Sequence, residues 1–388
     1  MNREEVVVIV GGGPAGLAAA ACLNVCLIPN VILEKEGTHA HLWKNKTYDR
    51  LNLHLAKEFC NLPNHPFPDS TPTYISKKTF ITYLDDYVEK FHINIRYKTT
   101  VKTAFYDEKE NKWVIWVRDE ASGEEGEYLA RFLVVATGEN AEGLVPDVKG
   151  LESFDGEVIH SCEYKCGEGY FGKRVLVVGC GNSGMEIAYD LSNFGAKTFI
   201  VVRSPFHVMR KELIHLGMVL AKYLPTKVVD TLLLILNWFH YFNLSKYGII
   251  KPTMGPLSLK AATGRSAVID VGTVSKIKTG EIQVVKEIQS VSGSEVEFKD
   301  GKIYDFDAII FATGYRSVAN KWLKDEGWLM NEDGFPKKKF PNHWKGKNGL
   351  YCAGFARRGL AGISMDAQLI AKDIDMLYER NQACNKLE

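Results

Sequence analysis

The stretch Val6-Val7-Val8-Ile9-Val10-Gly11-Gly12-Gly13-Pro14-Ala15-Gly16-Leu17-Ala18-Ala19-Ala20 decides the fold. Val6 to Val10 is a short apolar, β-branched run, which predicts a buried strand. The glycine turn follows at once, and Ala15 to Leu23 reads as a helix rich in Ala and Leu. A Gly-x-Gly-x-x-Gly alone is a weak signal, but strand before and helix after make it specific. In that setting the glycines serve a tight turn, close approach of backbone to a pyrophosphate, and helix–strand packing. The helix N-terminus then offers free N–H groups and the positive end of its dipole to the phosphates. Glu34 ends the next strand, Val31-Ile32-Leu33-Glu34, 18 residues after Gly16. A carboxylate there accepts hydrogen bonds from ribose hydroxyls, the pattern of an FAD or NAD site.

The same unit recurs. Lys173-Arg174 precede the strand Val175-Leu176-Val177-Val178, and Gly179-Cys180-Gly181-Asn182-Ser183-Gly184 opens a helix running towards Phe194. The following strand, Phe199-Ile200-Val201-Val202, ends on Arg203-Ser204, where an NAD site would carry an acid. A carboxylate repels a 2′-phosphate, whereas a guanidinium pairs with it bidentately. The contrast between Glu34 and Arg203 therefore predicts FAD at the first unit and NADPH at the second. The competing reading has Arg203 as a solvated surface residue and NADH as the cofactor.

A chain of 388 residues holds two domains with a core in each. Lys+Arg number 48 and Asp+Glu 47, so no basic excess points to nucleic acid. The first apolar run is too short for a signal-peptide core, and no stretch reaches transmembrane length. The longest, Leu232 to Phe242, reads as a buried or substrate-lining helix, with peripheral membrane contact as the lesser reading. Eight cysteines without a Cys-x-x-Cys suit a reducing, cytoplasmic compartment and argue against a dithiol-type flavin disulfide reductase. His39-Ala40-His41 lacks a second pair of ligands, so no metal site is expected.

Between the two units the pattern changes. Gly37 to Asp49, with Trp43, reads as a polar loop near the flavin end of the first cofactor. Leu51 to Leu55 alternates, and Lys78 to Phe91 is an amphipathic helix. Strands over 94–97, 101–106, 112–117 and 128–135 form a meander leading into Ala136-Thr137-Gly138. After a linker at 145–156 and the second unit, 206–262 reads as a helical insertion broken by Pro225, Pro252 and Pro256, covering a pocket. Strands at 282–285, 295–298 and 307–311 lead to a second Ala312-Thr313-Gly314, and Leu350 to Gly354 precede a last helix over 364–378. The fold class is α/β: two Rossmann-like dinucleotide-binding domains, the second inserted into the first. The expected FAD-binding domain is 1–165 with 296–388, and the NADPH-binding domain is 166–295. The two Ala-Thr-Gly turns mark the crossings, where Gly138 and Gly314 allow backbone to approach a ligand or bend tightly.

Phe154-x-Gly156-x-x-x-His160-x-x-x-Tyr164 lies just before the second fingerprint and resembles the identifying sequence of flavin-containing monooxygenases. Leu42-Trp43-Lys44, Thr47 to Leu51, Leu53-His54-Leu55-Ala56-Lys57, Phe59-Cys60-x-Leu62-Pro63, Ala136 to Asn140, Gly255-Pro256-Leu257-x-Leu259-Lys260 and Gly354 to Leu360 are similar to the plant YUCCA branch. Ala56 stands where that branch commonly has Pro, and Arg265-Ser266-Ala267 where it has Lys-Thr-Pro. The resemblance implies an FAD- and NADPH-dependent enzyme that turns indole-3-pyruvate and O2 into indole-3-acetate (auxin) and CO2 through a C4a-(hydro)peroxyflavin. It implies no side-chain nucleophile. It aligns His54 with a polar residue beside the nicotinamide, and gives His160 and Tyr164 a role in bridging the domains and shaping the NADPH site. Arg357 or Arg358 is the candidate partner of the substrate carboxylate. Rival readings are a flavin monooxygenase acting on nitrogen or sulfur atoms and a non-catalytic NADPH-binding sensor.

Overall fold

A computed structural model describes residues 2–384. The chain divides into two compact units: Met1–Asn45, Ala56–Glu142 and Tyr315–Glu388 form one, and Lys46–Leu55 with Gly143–Gly314 form the other. It crosses between them shortly after Gly138 and directly after Gly314.

The first unit is built on an eight-stranded sheet. The opening apolar run becomes the strand Asn2–Val10, paired in parallel with Asn30–Leu33 on one side and Glu125–Val135 on the other. The meander is antiparallel: Thr99–Asp107 pairs with Lys112–Asp119, which pairs with Glu125–Val135. Leu350–Cys352 joins Glu125–Val135 in parallel. The helix Pro14–Val25 buries every residue from Ala15 to Leu23, and packs against the terminal helix Gly359–Cys384. Its run of alanines permits that approach, because short side chains let two helices and a sheet come close without voids. The terminal helix begins earlier than the expected 364.

The second unit holds a five-stranded, fully parallel sheet. Its order is Glu157–His160, Ala308–Phe311, Arg174–Val178, Lys197–Val201 and Ile282–Val285. Strands covered on both faces read as unbroken apolar runs, as Val175 to Val178 and Ala308 to Phe311 do. The helix Asn182–Asn193 buries Met185, Ile187, Ala188 and Leu191 towards this sheet.

Two further details depart from expectation, the loop around Trp43 and the burial of the apolar run. The loop around Trp43 contains a short helix, His41–Asn45, with Trp43 set edge-on to Phe80 at 4.7 Å. The 206–262 insertion resolves into helices Lys211–Leu220, Thr226–His240 and Pro256–Thr263. Its apolar run is not buried as expected: Ile235, Trp238, Phe239 and Phe242 are exposed, Phe239 by 70%. The Thr226–His240 helix buries Val229, Asp230, Leu233 and Asn237 within the unit, while its remaining apolar residues are largely exposed.

Candidate nucleotide sites and their supporting residues

The two glycine motifs fold alike, residue for residue. Gly11 and Gly179 hold φ of +109° and +116°, which a side chain rarely adopts. A Cβ at either would press on the carbonyl of Ala136 or Ala312, the first residue of the neighbouring Ala-Thr-Gly turn. Ala136 N–H donates to the Val10 carbonyl at 2.9 Å, and Ala312 N–H to Val178 at 2.8 Å. At Gly16 and Gly184 a Cβ would overlap the carbonyl oxygen of Gly11 or Gly179, so these glycines seat helix on turn. The middle glycines differ. Gly13 and Gly181 are helix N-caps with extended backbone, and a Cβ on either would meet nothing within 4 Å. Their space is open where a pyrophosphate would rest against Pro14-Ala15 and Asn182-Ser183. The Thr137 hydroxyl is buried with no hydrogen-bond partner, so the first site also holds a polar atom for a bound molecule to satisfy. The residues present therefore fit dinucleotides at both places.

The sites differ at their far ends. Glu34 is buried and receives the Gly12 N–H at 2.6 Å and the Glu36 N–H at 2.8 Å. Burial holds its carboxyl above the usual range, while those two N–H groups pull the other way. Each oxygen keeps a lone pair for ribose hydroxyls. In the second unit Cys180 stands in place of Gly12, and burial pushes its thiol up to about 11. Arg203 and Ser204 line a cleft of about 330 Å³ with Lys286 and Lys299, which spacing along the chain did not bring forward. Arg203 is largely exposed and 3.8 Å from Glu287, which Lys299 engages at 2.6 Å. Three cations, Arg203, Lys286 and Lys299, share the cleft with two acids, Glu287 and Asp300, and leave an excess of positive charge for a phosphate dianion.

The segment 46–55 belongs to the second unit, although it follows the first fingerprint in sequence. It is tied there by the Asp49 N–H to the Lys165 carbonyl at 2.9 Å and by the Arg50 guanidinium 4.5 Å over the Tyr189 ring. Its Tyr48 is buried, with its hydroxyl bonded to Ser183 and Glu186. His54 Nε2 donates to Glu186 Oε1 at 2.6 Å, and the Glu186 side chain is almost wholly buried. That bond fixes the Nε2–H tautomer and leaves Nδ1 as the ring's other polar atom. Glu186 and Asp190, four apart on one face of the fingerprint helix, are acids among its buried residues and are the sequence signal for these contacts; spacing alone does not name their partners.

Asp190 serves the Phe154–Tyr164 motif. Its Oδ2 accepts from the Tyr164 hydroxyl at 2.7 Å and from the Gly167 N–H at 2.9 Å. His160 Nε2 donates to the Gly314 carbonyl at 3.0 Å, and its Nδ1 accepts from the Cys162 N–H at 3.3 Å. With one nitrogen donating and the other accepting, the ring is neutral, and burial lowers its pKa further. A Cβ at Gly156 would strike the Asp307 carbonyl and the Phe154 ring, so that glycine seats the strand Glu157–His160. These hydrogen bonds all fall inside the second unit, whereas a bridge between domains was expected. They fasten the second Ala-Thr-Gly turn to the strand Glu157–His160 and the fingerprint helix to the segment that follows it. Asp190→Ala should strand two buried donors and cost about 2–4 kcal/mol. The thermal midpoint should fall by roughly 4 °C or more; a shift under about one degree would remove Asp190 from this role.

Arg357 and Arg358 are exposed, and their guanidiniums lie over Phe335 at 4.6 Å and Phe340 at 3.8 Å. They stack on aromatic faces of the first unit.

Comparison with known proteins gives the same frame. A family model described as "Flavin-binding monooxygenase-like" matches residues 4–365. "Probable indole-3-pyruvate monooxygenase YUCCA10" of Arabidopsis thaliana is 55% identical over 96% of this chain and 97% of its own. "Indole-3-pyruvate monooxygenase YUCCA6" of the same plant is 48% identical over 98% and 92%. Among solved structures, a flavin-containing monooxygenase from Stenotrophomonas maltophilia superposes with a TM-score of 0.73 at 21% identity, covering 97% of this chain and 99% of that one. A cyclohexanone monooxygenase from Rhodococcus, bound to NADP+, gives 0.71 at 18% identity over 98% and 86%. Paired glycine turns, each locked to its own Ala-Thr-Gly strand, together with identity along almost the full length, mean that this chain belongs to the flavin-binding monooxygenase-like family, alongside the YUCCA proteins, and is a flavin-containing monooxygenase.

Proposed function

We propose that this enzyme oxidises indole-3-pyruvate, with NADPH and O2, to indole-3-acetate, CO2, water and NADP+. The observation that carries the reading is the 55% identity to an indole-3-pyruvate monooxygenase across nearly the whole of both chains. It is supported by two nucleotide sites of unlike chemistry in one chain. The unit with Gly11–Gly16 and Glu34 takes FAD, and the unit with Gly179–Gly184, Arg203 and Ser204 takes NADPH. The NADP+ bound by the Rhodococcus relative agrees with the second assignment.

Bound flavin and nicotinamide supply the hydride transfer and the activation of O2. The chain's own residues bind and orient. Pro14-Ala15 and Asn182-Ser183 present helix N-termini to the pyrophosphates, and Glu34 accepts from the flavin nucleotide's ribose. Arg203, with Lys286 and Lys299, meets the 2′-phosphate. His54 acts from the second unit, its ring held by Glu186 and its tautomer set at Nε2. No side chain serves as a nucleophile.

Arg203→Ala should raise the KM for NADPH by about tenfold, one charge-assisted contact's worth, and leave that for NADH little changed. Equal effects on the two would take Arg203 away from the 2′-phosphate. The substrate reading is tested by giving purified enzyme indole-3-pyruvate, amines and thioethers in parallel while following NADPH loss and product. Indole-3-acetate formed from the keto acid supports it. Products from the heteroatom compounds alone favour the nitrogen- or sulfur-oxidising reading, and no NADPH loss under any condition favours the sensor.

A further inference from the structure

The helix Thr226–His240 has two apolar faces, and one of them is covered, by the helices Lys211–Leu220 and Pro256–Thr263. Its inner face, Val229 and Leu233, packs with Met209 and Ala267. Asp230, buried beside them, accepts from the Leu257 N–H at 2.7 Å and the Ser258 N–H at 3.0 Å, capping the next helix. The outer face carries Val228, Leu232, Ile235 and Phe239, spaced four, three and four residues apart, and Phe242 follows just past the helix end. That spacing is one continuous stripe along a helix. Ile235 is 54% exposed, Phe242 61% and Tyr223, just before the helix, 79%. Trp238 sets its ring edge against Phe239 at 5.2 Å and Phe242 at 5.1 Å, so the aromatics form one cluster. Monomeric surfaces rarely expose a contiguous patch of this kind without a use for it.

Charge says what covers it. Across the 206–262 insertion the bases are Arg210, Lys211, Lys222, Lys227, Lys246, Lys251 and Lys260, and the acids are Glu212 and Asp230. Asp230 is consumed as a cap and Glu212 lies 3.3 Å from Arg210, so the outward charge of the insertion is predominantly positive. A two-fold contact between copies would place this same cationic patch against itself, which like charges oppose. An anionic bilayer answers both features: Trp and Phe settle at the headgroup level, and lysines around them meet acidic lipid. Among the described residues no helix is long and apolar enough to cross a membrane.

We propose that the outer stripe of Thr226–His240, with Tyr223 and the surrounding lysines, is a docking face for an anionic lipid surface, on which the enzyme lies peripherally. This does not rest on the keto-acid reading, because binding is measured without turnover.

The test is flotation of the flavin-loaded enzyme with vesicles of phosphatidylcholine alone, or with about a third of the lipid as phosphatidylserine. The enzyme should float with the anionic vesicles and stay behind with the neutral ones. Added salt should weaken the binding, since lysine attraction is screened. Ile235→Asp with Phe239→Asp should lower vesicle binding by roughly tenfold or more. Both sites face solvent, so retained flavin absorbance certifies the fold. Lys222→Gln with Lys227→Gln should remove part of the salt-sensitive share. The proposal is overturned if wild-type enzyme ignores anionic vesicles or if the aspartate pair binds as wild type does. It is equally overturned if light scattering finds a dimer that the aspartate pair dissolves while vesicles remain unbound.

Discussion

Gly13→Ala should yield a folded protein that purifies nearly colourless, with flavin occupancy below roughly a tenth of wild type, because a methyl stands where backbone must approach the pyrophosphate. The expectation is specific because the glycines of the motif do different work. Gly13 has ordinary extended backbone and no protein atom within 4 Å of a Cβ. Alanine therefore costs the fold little, and the loss falls on the ligand. Gly16→Ala would instead drive a methyl into the Gly11 carbonyl and damage the turn itself. The pair is distinguished by comparing flavin-free proteins: Gly13→Ala should melt with flavin-free wild type, and Gly16→Ala well below it. The comparison must be made without flavin, since bound ligand raises the melting temperature by mass action. A Gly13→Ala enzyme that keeps its full yellow colour would contradict the assignment.

The second large effect is expected at Glu186. Its carboxylate is the shared acceptor of His54 and Tyr48, all three drawn together beside the second fingerprint. Glu186→Ala leaves a buried hydroxyl and an imidazole N–H without their partner, a cost of about 2–4 kcal/mol. It also frees the His54 ring to change tautomer and rotate. Turnover should fall by tenfold or more, by analogy with the loss of a supporting shell around a site ligand. A merely structural role would lower stability alone. A positioning role also alters the pH profile of turnover, and Glu186→Gln, which can still accept from the imidazole, recovers part of the rate. If Glu186→Ala loses stability but keeps both rate and pH profile, His54 is not positioned for chemistry.

Most of this architecture was legible in the chain because its signals are local. A β-branched run, a glycine turn and an alanine helix sit within one short stretch, and Val6 to Leu23 folds as that order implies. The acid-against-arginine contrast is equally local, since strand ends are fixed by the runs that precede them. What was not legible depends on contacts far apart in sequence. Nothing between Lys46 and Leu55 announces that these residues join the second unit, and Tyr48 meets Ser183 only in the fold. Lys286 and Lys299 reach the Arg203 cleft from a later strand end and a hairpin turn, without a motif of their own. The Leu232–Phe242 run misled for a different reason. Hydrophobicity marks which residues avoid water, but a helix apolar on both faces does not say which face the protein covers. The exposed stripe through Ile235 and Phe239 became visible only with the fold in hand.

We propose that electrons from NADPH, passing through flavin, drive oxygen from O2 into a 2-keto acid. Supplying indole-3-pyruvate under 18O2 while following NADPH, CO2 and the product's mass together puts this to the test. Indole-3-acetate should carry one labelled oxygen in its carboxylate, with CO2 released and NADPH consumed one for one with it. NADPH oxidised to give hydrogen peroxide alone, or indole-3-acetate without the label, would contradict it.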